Sequence, residues 1–203
     1  MKGFAGLVLA AGASTRMGTP KQLLPIAHTT LLDRVLSEAL ASDLGVVVLV
    51  LGFMAKDIMK GLQTDLRHPK LKIIENKDHH LGISSSIIAG LSAVEKDFDG
   101  VMVILGDMPH MTAGLVNLLL RRCEESRCPL AAVTSKGKRT HPVIIRRPFF
   151  SALHQLRGDE GARTLFVERA DQVCLVEPEG DYDDLDIDTQ DDYLALKKKL
   201  ESS

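Results

Sequence analysis

The chain has 203 residues, 45% of them hydrophobic and 26% charged, with a formal net charge of −2, which suits one full-sized core and lacks the basic excess of a dedicated nucleic-acid binder. It has no Trp, so stacking platforms for single strands are not expected, and its short apolar start at Phe4 resembles neither a signal peptide nor a membrane span. Cys123, Cys128 and Cys174 form no C-x-x-C pair; they read as core thiols in a reducing cytoplasm, not as a disulfide framework or a zinc site.

Phe4–Ala10 is a continuous apolar run, as a strand buried on both faces requires. A glycine-containing loop over 11–29 follows. The stripe Leu31, Leu32, Val35, Leu36, Ala39 and Leu40 then predicts a helix capped by Thr29 or Thr30. Val46–Leu51, closed by Gly52, is a second strand; a weaker helix carries Ile58, Met59 and Leu62, and 71–74 is a third strand. The loop 79–84 opens a helix with Ile87, Ile88, Leu91 and Val94. Residues 101–105 form a fourth strand, and a helix from about Thr112 carries Leu115, Leu118 and Leu119. Beyond Pro129 the pattern loosens. Strands over 130–134 and 142–145 flank a polar turn over 135–140, short helices cover 149–156 and 160–169, and Val173–Val176 and 190–200 are a last strand and helix. This alternation predicts an α/β fold, a mostly parallel three-layer sandwich in a single domain over 1–203, with ligands bound beyond the carboxyl ends of the strands. The irregular stretch of about 130–180 is expected to be an insertion or a small flap over the site.

The segment after the first strand runs Leu9-Ala10-Ala11-Gly12-Ala13-Ser14-Thr15-Arg16-Met17-Gly18-Thr19-Pro20-Lys21-Gln22-Leu23-Leu24-Pro25. Backbone amides in a glycine turn can cradle phosphate oxygens, and Arg16 and Lys21 add two cations, a combination that suits a triphosphate. A P-loop is excluded, because five residues separate Gly12 from Gly18 where four are required. Gly12-Ala13-Ser14 breaks the dinucleotide fingerprint, which removes a nicotinamide-dependent oxidoreductase reading. Asp107, in Gly106-Asp107-Met108-Pro109 at the end of the fourth strand, is placed either to ligate magnesium or to stabilise the turn. In Leu185-Asp186-Ile187-Asp188-Thr189, strand alternation would point Asp186 and Asp188 to one face. Thr189 and Asp192 have capping-box spacing. Gly82, Ser84 and Ser85 begin a helix whose amides and hydroxyls could read a base edge or a ribose, or simply cap it. The adjacent His79 and His80 lack metal-site spacing.

The loop pattern Leu-Ala-Ala-Gly-x-Ser-x-Arg-Met-Gly-x-x-Lys-Gln-Leu-Leu-Pro resembles the pyrophosphorylase loop of the molybdenum cofactor nucleotidyltransferases, the family of molybdenum cofactor cytidylyltransferase and molybdopterin-guanine dinucleotide synthase. The likeness continues through Gly82-Ile83-Ser84-Ser85-Ser86, Gly106-Asp107, Asp186-Ile187-Asp188-Thr189, Thr140-His141-Pro142 and Gly158-Asp159-Glu160-Gly161-Ala162-Arg163. Thr140 replaces a family glycine and Met108 a glutamine. The resemblance implies a Rossmann-like nucleotidyltransferase (nucleotide-diphospho-sugar transferase) fold. It implies that Ala10, Ala11 and Gly12 contact the triphosphate, that Arg16 binds its β and γ phosphates, and that Lys21 binds near the α-phosphate. Gly82, Ser84 and Ser85 would face the nucleotide, and His141 and Arg163 the acceptor. Mg2+ would be held by Asp107 and Asp188, with Asp186 the rival to the latter. Ala10-Ala11-Gly12 is the form of the cytidylyl branch, so CTP is the implied donor and molybdopterin the implied acceptor, with a molybdenum hydroxylase as partner. The alternatives are guanylyl or other NTP transfer to a sugar phosphate or phospho-acid, and a non-catalytic nucleotide-binding accessory of such a hydroxylase.

Overall fold

The computed structural model describes residues 3–13, 20–178, 182–183, 185–187 and 189–201. The first apolar run forms β1 (Phe4–Ala10), buried at every position. The two-residue strands β2 (Pro25–Ile26) and β3 (Thr29–Thr30) pair with each other just before α1 (Leu31–Ala41). Then come β4 (Val46–Leu51), α2 (Ala55–Gly61), β5 (Leu71–Glu75), α3 (Ile83–Ser92), β6 (Gly100–Leu105) and α4 (Ala113–Ser126). The remainder is β7 (Leu130–Ser135), β8 (Lys138–Arg146), α5 (Phe150–Leu153), α6 (Arg163–Glu168), β9 (Val173–Val176) and α7 (Gln190–Glu201). No helix among the described residues is long and apolar enough to cross a membrane.

The main sheet has seven strands in the order β5-β4-β1-β6-β8-β7-β9, parallel except for β8, which runs against both neighbours. Its two faces make two cores. Val8 and Ala10 of β1 pack with α1, α2 and α4, whereas Ala5, Leu7 and Leu9 pack with α3, α5 and α6. Period-two alternation of one strand thus supplies both sides of a three-layer sandwich. From β1 the chain moves outward through β4 and β5, then returns across β1 to β6. The order therefore reverses between β1 and β6, which is where such a sheet opens a crevice at its carboxyl edge.

Two expectations require correction. Residues 130–176 are neither an insertion nor a flap, because β7, β8 and β9 complete the main sheet. The polar turn expected over 135–140 is only two residues long. Lys136 and Gly137 take φ of 50° and 74°, the left-handed pair that closes a tight hairpin, so Lys138, Arg139 and Thr140 pair with Ser135, Thr134 and Val133. Of the three cysteines, all free thiols, only Cys123 is fully buried.

Helix α1 begins on an unusual anchor. Thr30 caps it by accepting the Asp33 amide at 3.1 Å, and Asp33, 4% exposed, returns a carboxylate to the Thr30 hydroxyl. The same carboxylate accepts the amides of Gln63 and Thr64 and the Thr64 hydroxyl, the last at 2.6 Å. Burial pushes the Asp33 carboxyl up, but these donors outweigh it and hold the group below the usual carboxylate value. Asp33 thereby ties the start of α1, and with it the loop leading from β1, to the segment after α2.

Candidate active site

The carboxyl ends of β1 and β6 form the floor of a cleft of about 280 Å³, lined by Ala10, Ala11, Gly12, Lys21, Gln22, Gly106 and Asp107. The two strand ends are tied together by the Gly106 amide, which donates to the Leu9 carbonyl at 2.9 Å. Gln22 is 3% exposed and its Nε2 donates to the carbonyls of Ala10 (3.0 Å) and Gly12 (3.1 Å). With these carbonyls occupied, the turn's carbonyls are held away from an anion in the cleft, which would otherwise repel it.

Lys21 opens a short 3-10 turn and places its Nζ against Oδ2 of Asp107. Both side chains are largely buried, at 18% and 13% exposure. The other oxygen of Asp107, Oδ1, is buried and has no hydrogen-bond partner among the described residues. A buried carboxylate oxygen in that state requires a donor or a cation. The segment 185–187 arrives at the same place, where the Ile187 amide donates to the Asp107 carbonyl at 3.2 Å and the Ile187 side chain is fully buried against Ile26, Leu31 and Tyr193. Residues 185–187 are not in a strand; the Ile187 backbone bond and its buried side chain help to position them. Asp188 and Arg16 lie outside the described residues. Among the described residues no cluster of three or more His, Cys, Asp or Glu is present.

Gly82, Ile83 and Ser86 at the start of α3, together with His79 and Asp159, form the opposite wall. Of the three α3 residues singled out from the sequence, only Gly82 lines the cleft. Ser84 is 1% exposed, and Ser85 is held by its own bond to the Gly82 carbonyl and by Asn76 Nδ2, both at 2.8 Å. Helical spacing explains the substitution, since Ile83 and Ser86 lie three apart and share one face. Nor are the α3 amides free. Ser84 donates to the Gly158 carbonyl (3.1 Å) and Ile83 to Asp159 Oδ1 (3.2 Å). The close approach depends on Gly82, whose φ is +93° and where a Cβ would lie 2.4 Å from the Gly158 carbonyl carbon. Gly82→Ala is expected to cost roughly 2 kcal/mol or more and to speed hydrogen exchange at Ile83 and Ser84; unchanged exchange there would contradict the contact.

Beyond this wall lies a second cleft of about 590 Å³, sharing Ile83 and Asp159 with the first and lined by Lys138, Arg139, His141 and Arg163. His141 Nδ1 is buried without a hydrogen-bond partner among the described residues. Burial, reinforced by the charge of Arg139, pushes the His141 imidazole below its ordinary pKa; the Val103 backbone and the Asp186 carboxylate act in the opposite direction. The structure thus brings Ala10, Ala11, Gly12, Lys21, Gly82 and Asp107 to one cleft, and His141 and Arg163 to its neighbour. Gln22, Asn76, Ser86 and Arg139 were not singled out from the sequence. The Lys21-Gln22 pairing and the basic Lys138-Arg139 step were the only signals that could have pointed to two of them.

Residues 6–173 match the model of the MobA-like NTP transferase domain. The chain is 29% identical over 198 residues to nicotine blue oxidoreductase of Paenarthrobacter nicotinovorans, covering 94% of this chain and 95% of the relative. It is 27% identical over 194 residues to molybdenum cofactor cytidylyltransferase of Escherichia coli, covering 95% of each. Among solved structures, a Mycobacterium tuberculosis Rv0371c homologue from Mycobacterium sp. strain JC1 superposes with a TM-score of 0.85 at 31% identity, over 98% of this chain and 97% of the other. The manganese complex of Rv0371c from Mycobacterium tuberculosis gives a TM-score of 0.78 at 28% identity, over 97% and 98%.

Proposed function

The chain belongs to the MobA-like NTP transferase family, and from that membership we propose that it transfers CMP from CTP to the phosphate of molybdopterin, releasing pyrophosphate. The observation that carries this reading is the pairing of Lys21 with Asp107 across the two strand ends, beside the glycine turn, with Oδ1 of Asp107 left over. The form Ala10-Ala11-Gly12 supports CTP as donor, and the likeness to a molybdenum cofactor cytidylyltransferase supports the acceptor. The cytoplasm is the setting of this reaction, and a molybdenum hydroxylase the recipient of its product.

The amides around Gly12 and the cations of Lys21 and Arg16 would hold the triphosphate, with its base toward Gly82 and Ser86. An oxygen of the acceptor phosphate, already ionised near neutral pH, attacks the α-phosphorus. The bond from that phosphorus to the α–β bridging oxygen breaks, and pyrophosphate leaves. Lys21 offsets charge that builds on the phosphates, and the two adjoining clefts hold nucleophile and leaving group in line. No general base is required. An unpartnered carboxylate oxygen beside substrate phosphates is a donor set that fits Mg2+; Asp107 would hold the ion together with Asp188, and when bound it neutralises phosphate charge.

A thermal-shift panel of CTP, GTP, ATP and UTP with Mg2+ tests the donor. CTP at a hundred times its Kd should add about 2.7 kcal/mol of apparent stability, with smaller shifts for the others. A GTP preference would move the chain to the guanylyl branch, and no shift with any triphosphate would sink the reading.

A further inference from the structure

We infer that Arg139 and Arg163 together form a seat for the acceptor's phosphate, with Arg139 the residue that sets acceptor recognition. This deepens the reading above and rests on it. Both guanidiniums line the second cleft, yet they come from different elements, Arg139 from the start of β8 and Arg163 from the first turn of α6. They are close enough for the charge of Arg163 to act on Arg139, adding to the burial that lowers its pKa. Arg139 is half-buried and Arg163 exposed; two like charges at the rim of one cleft repel, and the arrangement becomes favourable when an anion lies between them. Among the described residues, neither is ion-paired to a carboxylate. Asp159, which lines the same cleft, is engaged with the Ile83 amide.

The orientation of Arg139 is also set in advance. Its guanidinium carbon lies 4.8 Å from the centroid of the Phe166 ring, and Phe166 is itself 3% exposed in the core. Stacking on a fixed ring orients the planar fork, so less freedom is lost when it grips an oxyanion. The tight turn at Lys136-Gly137 makes this possible, because it carries β8 back far enough to include Arg139 in the ladder opposite Thr134. The seat borders the triphosphate cleft through Ile83 and Asp159, so an anion placed there adjoins the donor. The ligand class is a phosphate monoester, whose two charges answer two guanidiniums, in preference to a monocarboxylate.

The absence of Trp from the chain offers a local probe. Val167 lines the second cleft and is 67% exposed, so Val167→Trp places one fluorophore at the seat with little risk to folding. Titrated with inorganic phosphate, this protein should show a saturable fluorescence change, with much weaker binding of acetate. Adding Arg139→Gln should weaken phosphate binding on the order of tenfold or more, Arg139→Lys should restore part of it, and Lys21→Ala should leave it unchanged. With molybdopterin and CTP, Arg139→Gln should raise KM for the acceptor while leaving kcat within a few-fold. Equal phosphate binding in the Arg139→Gln protein, no response at all, or loss caused by Lys21→Ala instead would each overturn the assignment. Failure of CTP to bind would remove the reading of the reaction while leaving the phosphate titration to stand.

Discussion

Asp107→Ala should slow turnover by about 10²-fold or more, and Lys21→Ala by a comparable factor, since each removes charge stabilisation aimed at the phosphates. The structure adds a condition to this. The two side chains contact each other, so each also orients the other, and groups that act as one unit do not contribute independently. The double variant should therefore lose far less than the product of the two single losses. Asp107→Asn distinguishes charge from shape, because it keeps the volume and one acceptor oxygen; it should resemble the alanine variant in rate. Pyrophosphate release under saturating CTP measures all four proteins, and a melting curve on each shows that the fold persists. A near-normal rate in either single variant would end the assignment of this pair.

Asp33→Asn should destabilise the fold by about 3 kcal/mol at pH 7, although Asp33 does not line the cleft. Its carboxylate receives charge-assisted bonds from two hydroxyls and two backbone amides, and an amide side chain would place an N–H donor against some of those donors. The dependence on pH has a definite sign. The folded-state pKa lies below the ordinary carboxylate value, so the unfolded chain takes up the proton first as pH falls. The contribution of Asp33 is complete above about pH 4 and is lost as pH falls through the folded-state value. Denaturation of wild type and variant at pH 7 and near pH 3 should show the gap between them narrowing at the lower pH. A gap independent of pH would mean that packing, not the carboxylate, anchors α1.

Much of this architecture could be read from residue patterns, for local reasons. Val173–Val176 lies between Gln172 and Glu177, Val46–Leu51 between Gly45 and Gly52, and Phe4–Ala10 begins after Gly3, so each apolar run carries a local mark of where its strand starts. Thr30 and Thr112 cap the helices that follow them, because capping depends on neighbours three residues away. The failures have a non-local origin. Lysine itself does not favour the left-handed conformation that Lys136 takes, so the second hairpin strand starts earlier than its apolar run. A run of three serines does not disclose that the helix turns Ser86, and not Ser84 or Ser85, toward the cleft. Asn76, 5% exposed and hydrogen-bonded to both Ser85 and Ser86, acts across a loop. Gln22 and Arg139 matter through partners 12 and 27 residues away in sequence, Ala10 and Phe166 respectively, which periodicity does not report.

Ile83 and Asp159 belong to both clefts, so the two clefts share a wall that carries hydrogen bonds to the first amides of α3, and in the proposed reaction that wall stands between donor and acceptor. Whatever one substrate does to that wall, the other must experience. Thermodynamic reciprocity then fixes the outcome in both directions: the factor by which bound nucleotide alters affinity for the acceptor equals the factor by which bound acceptor alters affinity for the nucleotide.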